Sequence, residues 1–189
     1  GGLRDELEAP AMMAKILVNR GVEDANVARA FLDPQMEDLI DPFTMRDMTE
    51  ASARIWKAID ADEQIMVHGD YDVDGVTSTA LLVRTLGALG AKVRFYIPNR
   101  LEEGYGISHE AIDGCVAQGT TLLISVDCGI TATEETLYAT ENGVDVIITD
   151  HHIPHNGVPN AVTSLNPKIP GSDYPFFELC GAGIGFKLI

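Results

Sequence analysis

Between residues 64 and 149, four short apolar runs alternate with three longer segments, and this constrains the fold more than anything else in the chain. Runs at 64–67, 92–97, 121–126 and 144–149 read as strands, continuously apolar as strands covered on both faces should be. Segments at 76–89, 108–118 and 133–142 read as helices that end near Gly90, Gly119 and Gly143. The resulting β-α-β-α-β-α-β order predicts an α/β fold, a Rossmann-like parallel β-sheet flanked by helices. Right-handed crossovers put the carboxyl end of every strand on one edge, where open α/β sheets bind their ligands.

The stretch before residue 63 reads as a helical N-terminal lead-in. A helix over 10–19 is closed by Gly21, a second over 22–32 is stopped by Pro34, and Thr49 is placed to cap a third running to Ala61. In that third helix Ile55, Trp56 and Ile59 form an apolar stripe, with Trp56 expected as a core anchor. The expected division is a lead-in at 1–62 packed on the core, and the strand–helix domain at 63–189. The chain opens on Gly-Gly and stops at Ile189 inside an apolar run, so it is expected to be a fragment of a longer protein.

Composition narrows the class. With 46% hydrophobic and 22% charged residues the chain is globular rather than disordered. No apolar run approaches the roughly 18 residues that span a bilayer. No basic segment followed by an apolar one marks a secretory signal. The three cysteines form no C-x-x-C pair, which fits a reducing, cytoplasmic location and argues against structural zinc. The net charge of −16 opposes long-range attraction to nucleic acid, whose affinity normally comes from Lys and Arg. Part of that excess sits in an acidic cluster where bound cations would reverse the local field.

That cluster is His68-Gly-Asp-Tyr-Asp-Val-Asp-Gly75, directly after the first strand. On extended backbone His68, Asp70, Asp72 and Asp74 project to one side. Two unit charges roughly 4 Å apart repel by about 4 kcal/mol at an effective dielectric near 20, so acids crowded this way spread into water or hold a cation. Asn99-Arg100 follow the second strand, Asp127 the third, and Asp150-His151-His152 the fourth. Four loops supplying acids, imidazoles and an arginine to one edge point to a divalent-metal phosphoesterase, with the guanidinium fork suited to phosphate. A calcium loop of the EF-hand type needs a glutamate at its twelfth position, which here is Leu81. A helix cap by Asp74 accounts for one acid only. Cys128 has no partner arrangement that would make it a nucleophile, and His109 and His155 read as surface residues. The glycines of Gly181-Ala-Gly-Ile-Gly185 read as close helix packing rather than a phosphate cradle.

The order and spacing of G-D-Y-D-V-D-G at 69–75, P-N-R at 98–100, E-G-Y-G at 103–106, V-D-C-G-I at 126–130, T-D-H-H at 149–152, N-P-K at 166–168 and C-G-A-G-I-G-F-K-L at 180–188 resemble the DHH phosphoesterase superfamily. Within it, the chain is similar to the single-strand-specific 5′→3′ exonucleases of bacteria. The resemblance implies two divalent cations, Mn²⁺ or Mg²⁺. His68, Asp72 and Asp127 would hold one, and Asp74, Asp127 and His151 the other, with Asp127 bridging. Asp70 and Asp150 would support the ligands from behind, Arg100 and Asn99 would meet phosphate, and His152 would face substrate. Asp127, His151 and His152 are then the catalytic residues. The implied reaction is hydrolysis of single-stranded DNA from its 5′ end to 5′-mononucleotides, in DNA repair and recombination. A single-strand-binding protein and a helicase would be partners of the full-length protein, with no membrane involved. The family's last metal-binding aspartate and its C-terminal modules lie beyond residue 189, so little nuclease activity is expected of the chain alone. Two alternatives are a related enzyme acting on short oligonucleotides, cyclic dinucleotides or polyphosphate, and a non-catalytic scaffold. Retention of every ligand in this chain argues against the second.

Overall fold

The computed structural model describes residues 2–155 and 157–189. The chain divides into two compact units, Gly1–Ile40 and Asp41–Ile189. In the first, α1 (Leu3–Leu7), α2 (Ala11–Asn19) and α3 (Ala25–Leu32) bury Leu3, Leu17, Ala25 and Ala28 against one another. Asp24 caps α3 by accepting from the Asn26 and Val27 amides, and Arg29 donates to the Glu6 carbonyl at 2.8 Å. The short α1 carries too few residues for a readable period.

The second unit begins earlier than the expected boundary at 62–63. It includes the helix α4 (Met48–Asp60). Met48, Ala51, Ile55 and Ala58 form its buried stripe, at the 3.6-residue period of a helix face. Trp56 is 49% exposed, which corrects its expected role as a core anchor. One position past Ile55 it is rotated about 100° off the buried stripe.

The sheet follows the predicted order. β1 (Gln64–His68), α5 (Val73–Ala88), β2 (Lys92–Tyr96), α6 (His109–Ala117), β3 (Thr120–Val126), α7 (Thr133–Glu141) and β4 (Asp145–Thr149) alternate without interruption. A fifth strand, β5 (Thr163–Leu165), and a final helix, α8 (Gly181–Leu188), complete the unit. β5 is three residues long and two of them, Thr163 and Ser164, are polar, so no apolar run announces it. All pairings are parallel and the order is β2-β1-β3-β4-β5. β1, β3 and β4 are almost wholly buried, whereas the edge strand β2 exposes Lys92, Arg94 and Phe95 and is not covered as expected. The chain moves outward from β1 to β2, then back past β1 to β3. The carboxyl ends of β1 and β3 therefore flank the crevice where doubly wound sheets place ligands. Backbone pairing continues one residue past the strands: the Asp127 amide donates to the Thr149 carbonyl at 2.8 Å and the Asp150 amide to the Leu165 carbonyl at 3.1 Å.

Candidate metal centre

The loop after β1 is short because α5 starts at Val73, three residues before the expected start. Its cap is Asp72, not Asp74: the Asp72 carboxylate accepts from the Asp74 amide at 2.8 Å and the Gly75 amide at 3.0 Å. Those hydrogen bonds, led by the one from Gly75, hold Asp72 below the usual carboxylate range. Gly75 is obligatory, since a Cβ there would lie 2.5 Å from the Asp70 carbonyl oxygen. Asp74 turns instead toward α8, accepting from the Gly181 amide at 2.7 Å and the Ala182 amide at 2.6 Å.

Asp127 leaves β3 in the left-handed region, at φ 62, which a non-glycine residue rarely adopts. This backbone aims a carboxylate only 1% exposed into the crevice. Burial, followed by the nearby charges of Asp74 and Asp72, pushes its pKa up to about 8. Its Oδ1 lies 3.1 Å from His151 Nε2 but accepts no hydrogen bond, and Asp74 Oδ2 lies 3.8 Å from the same nitrogen. Burial lowers the pKa of His151.

Asp150 is fully buried and braces the loop after β4. It accepts from the Ile130 amide at 2.9 Å, the His151 amide at 2.7 Å, the His152 amide at 3.0 Å and His152 Nδ1 at 2.7 Å. Burial alone would raise its pKa, but the hydrogen bonds from His152 and Ile130 outweigh it and Asp150 stays low. The same contact raises the pKa of His152.

Two sets of metal-competent donors converge, each with atoms within 4.8 Å of one another: Asp127 with His151 and His152, and Asp127 with Asp70 and Asp72. Asp127 is common to both, whereas the expected sets were His68, Asp72 and Asp127, and Asp74, Asp127 and His151. Asp70, expected behind the ligands, brings an oxygen into the second set, and burial pushes its pKa up. His68 belongs to neither set. It is fully buried at the end of β1, with Nε2 3.1 Å from the Gly106 carbonyl and Nδ1 without a partner. A carbonyl only accepts, so Nε2 carries the proton and Nδ1 keeps a bare lone pair. Burial lowers the His68 pKa to about 4, keeping the ring neutral. The orphaned Asp127 Oδ1, with the carboxylate oxygens and imidazoles grouped with it, fits a hard divalent cation such as Mn²⁺ or Mg²⁺, and His68 Nδ1 is a second buried donor without a partner. Cys128 is buried with its thiol pushed well up by burial, which suits neither a nucleophile nor a ligand.

Arg100 is exposed and stacks over the Tyr71 ring at 5.2 Å, inside the acidic loop. Asn99 is spent on its own turn, bonding the Leu101 amide and Glu102, so its expected phosphate contact is not pre-formed. Two residues of the cleft escaped the sequence reading. Tyr105 donates to the Asp127 carbonyl at 3.3 Å and sits 3.5 Å from His152 Nδ1. Lys168 lines the same cleft of about 600 Å³ with Ile130, His151 and His152. Asn166 holds it there, accepting from the Lys168 amide and donating to the His152 carbonyl. Both belong to short motifs, E-G-Y-G and N-P-K, on which the family resemblance rests, and that was the available signal.

A parallel, doubly wound domain with a carboxylate–imidazole centre at its switch point is the class that fold and site define. The chain belongs to the DHH family: the model of the DHH family, N-terminal domain, matches residues 64–189. It is 47% identical over 186 residues to the single-stranded-DNA-specific exonuclease RecJ of Bacillus subtilis, covering 98% of this chain and 24% of that protein. The crystal structure of an exonuclease RecJ bound to manganese matches with a TM-score of 0.72 at 41% identity, over 79% of this chain and 38% of that one. RecJ of Thermus thermophilus in complex with Mn²⁺ matches with a TM-score of 0.77 at 34% identity, over 99% of this chain and 26% of that one. The chain thus spans about a quarter of the length of RecJ from Bacillus subtilis.

Proposed function

We propose that this chain supplies the metal-binding part of a single-strand-specific 5′→3′ exonuclease that releases 5′-mononucleotides. The observation that carries this is Asp127: a buried carboxylate with an orphaned oxygen, common to two sets of donors. His68, Asp72 and Asp127 would hold one Mn²⁺ or Mg²⁺, and Asp74, Asp127 and His151 the other, with Asp70 near the first. Bound there, such a pair supplies an activated water and neutralises charge on the phosphate and the departing oxygen.

The chain's own groups do the remaining work. Asp150 fixes the His152 ring through Nδ1, leaving Nε2 to face a phosphate oxygen. Arg100, held over Tyr71, is placed to grip a phosphate with its planar fork. Tyr105 and Lys168 line the cleft beside His151 and His152. With a net charge of −16, the chain contributes chemistry rather than attraction along a strand, so its nuclease activity alone is weak.

Action in DNA repair and recombination, with a single-strand-binding protein and a helicase as partners, follows from the same reading. So does a cytoplasmic location, which the three free cysteines suit. Among the described residues, no helix is long and apolar enough to cross a membrane.

The test pairs Mn²⁺ titration of the chain, followed by electron paramagnetic resonance, with digestion of end-labelled DNA by a protein of the relatives' full length that contains this chain. Saturable Mn²⁺ binding and mononucleotides from the 5′ end of single strands support the reading. Preference for di- and trinucleotides over long strands would transfer it to the oligonucleotide-degrading branch of the family.

A further inference from the structure

We infer that Gly181, the first residue of α8, is a positioning residue of the metal centre. The inference rests on the metal-centre reading above and extends it to a segment that supplies no ligand. Two independent contacts meet at this residue. The Gly181 and Ala182 amides take one Asp74 oxygen each, at 2.7 and 2.6 Å, so the first turn of α8 fixes both the plane and the direction of that carboxylate. These amides are unpaired within the helix and carry its positive end, so an anion is their natural partner.

The second contact is steric. A Cβ at position 181 would lie 2.6 Å from Asp127 Oδ1, 2.7 Å from its Cβ and 2.8 Å from its Cγ. Oδ1 is the oxygen that has no hydrogen-bond partner and lies 3.1 Å from His151 Nε2. Any side chain at 181 therefore displaces Asp127 or the first turn of α8, and with it the oxygen aimed at His151 or the amides held on Asp74. The missing side chain at 181 and the paired amides fix, together, the relative placement of Asp74 and Asp127. These acids come from loops after different strands and need an external reference to keep register. Gly185 shows what glycine does elsewhere in α8: a Cβ there would meet the Leu82 side chain at 3.0 Å and, besides Ser78, nothing else within 4 Å. Gly185 serves packing, and Gly181 serves the centre.

The experiment compares Gly181→Ala with Gly185→Ala in the 189-residue chain, measuring Mn²⁺ affinity by electron paramagnetic resonance and melting temperature in EDTA. Both variants should melt lower, while only Gly181→Ala should lose Mn²⁺ affinity, by tenfold or more. Wild-type affinity in a folded Gly181→Ala variant would overturn the inference, because a packing role moves the melt alone. Should that variant fail to fold, a Mg²⁺ titration of the ¹⁵N-labelled wild type decides. The Gly181 and Ala182 amide resonances should move as Mg²⁺ saturates, and resonances that stay fixed while others respond would sink the idea. A wild type that binds neither cation would instead overturn the metal-centre reading, and this inference with it.

Discussion

His151 Nε2 stands 3.1 Å from Asp127 Oδ1, yet that oxygen accepts no hydrogen bond and is buried from water. Two donors this close, neither satisfying the other, are what a shared cation leaves room for. Without one, a buried carboxylate is a liability of about 1–3 kcal/mol or more.

Asp127→Asn should therefore separate stability from binding. In EDTA the variant should melt higher than wild type, because a neutral amide spares the proton uptake that folding imposes on a carboxyl whose pKa burial pushes up to about 8. In Mn²⁺ the order should reverse. Wild type gains about 2.7 kcal/mol at a cation concentration 100 times Kd, and the variant gains little of it. Paired melts with and without Mn²⁺ read both effects. A variant that Mn²⁺ stabilises as strongly as wild type would remove Asp127 from the centre.

The pH dependence has a definite sign. Asp127 is raised from 3.8 to about 8, so the folded metal-free chain keeps a proton the unfolded chain has lost, and stability falls as pH rises toward 8. His68 is depressed from 6.5 to about 4, so its contribution is present above 6.5 and is lost as pH falls toward 4. Between 4 and 6.5 the two slopes oppose each other. Above 6.5 Asp127 acts without that opposition, and His152, raised by its bond to Asp150, acts in the same direction. Metal-free stability should therefore decline from pH 6.5 to 8, and the increment from Mg²⁺ should grow over the same interval. Urea denaturation at three pH values checks it, and an increment that shrinks with pH would contradict the assignment.

Asp150→Asn tests the brace behind the histidines. The carboxylate accepts four hydrogen bonds and is fully buried, so an amide, which can offer only one oxygen, leaves donors unpaired. A loss of about 2–4 kcal/mol is expected. The His152 pKa should fall back toward the ordinary imidazole value, since the Asp150 contact is the main cause of its rise. NMR titration of His152 reads this directly, and an unmoved His152 would mean that Asp150 does not set its protonation.

Most of this architecture was legible because it rests on local patterns. The four apolar runs became β1 to β4 within one or two residues, and Asp127, His151, Asp72 and Asp70 met at the edge those strands define. What escaped depended on distant packing. Asp72 rather than Asp74 caps α5 because the helix starts earlier than its apolar period. The hold of α8 on Asp74 joins residues 107 positions apart, which no local pattern encodes. Trp56 shows the opposite error, an aromatic read as buried from its type although its place on the helix turns it outward.

The place of α4 in the sheet unit rests on Arg54, and this yields the last prediction. Its Nε donates to Asp145 at 2.6 Å and its Nη2 to Glu63 at 2.8 Å, while Thr121 donates its hydroxyl to the same Glu63 oxygen at 2.7 Å. One side chain, only 10% exposed, thus ties α4 to the start of β4 and, through Glu63, to β3. Asp145 is 46% exposed, so solvent screens its share, and the Glu63 arm carries more of the energy. Arg54→Met should cost about 3 kcal/mol by leaving Glu63 half-buried without its cation. Arg54→Lys should recover less than half of that, because one ammonium cannot reach two acids in the fork geometry. Neither change touches the crevice between β1 and β3, so Mn²⁺ affinity should stay at the wild-type value in both. Chemical denaturation gives the first quantity and paramagnetic resonance the second. Full rescue by lysine would show that charge alone, without the fork, holds α4 in place.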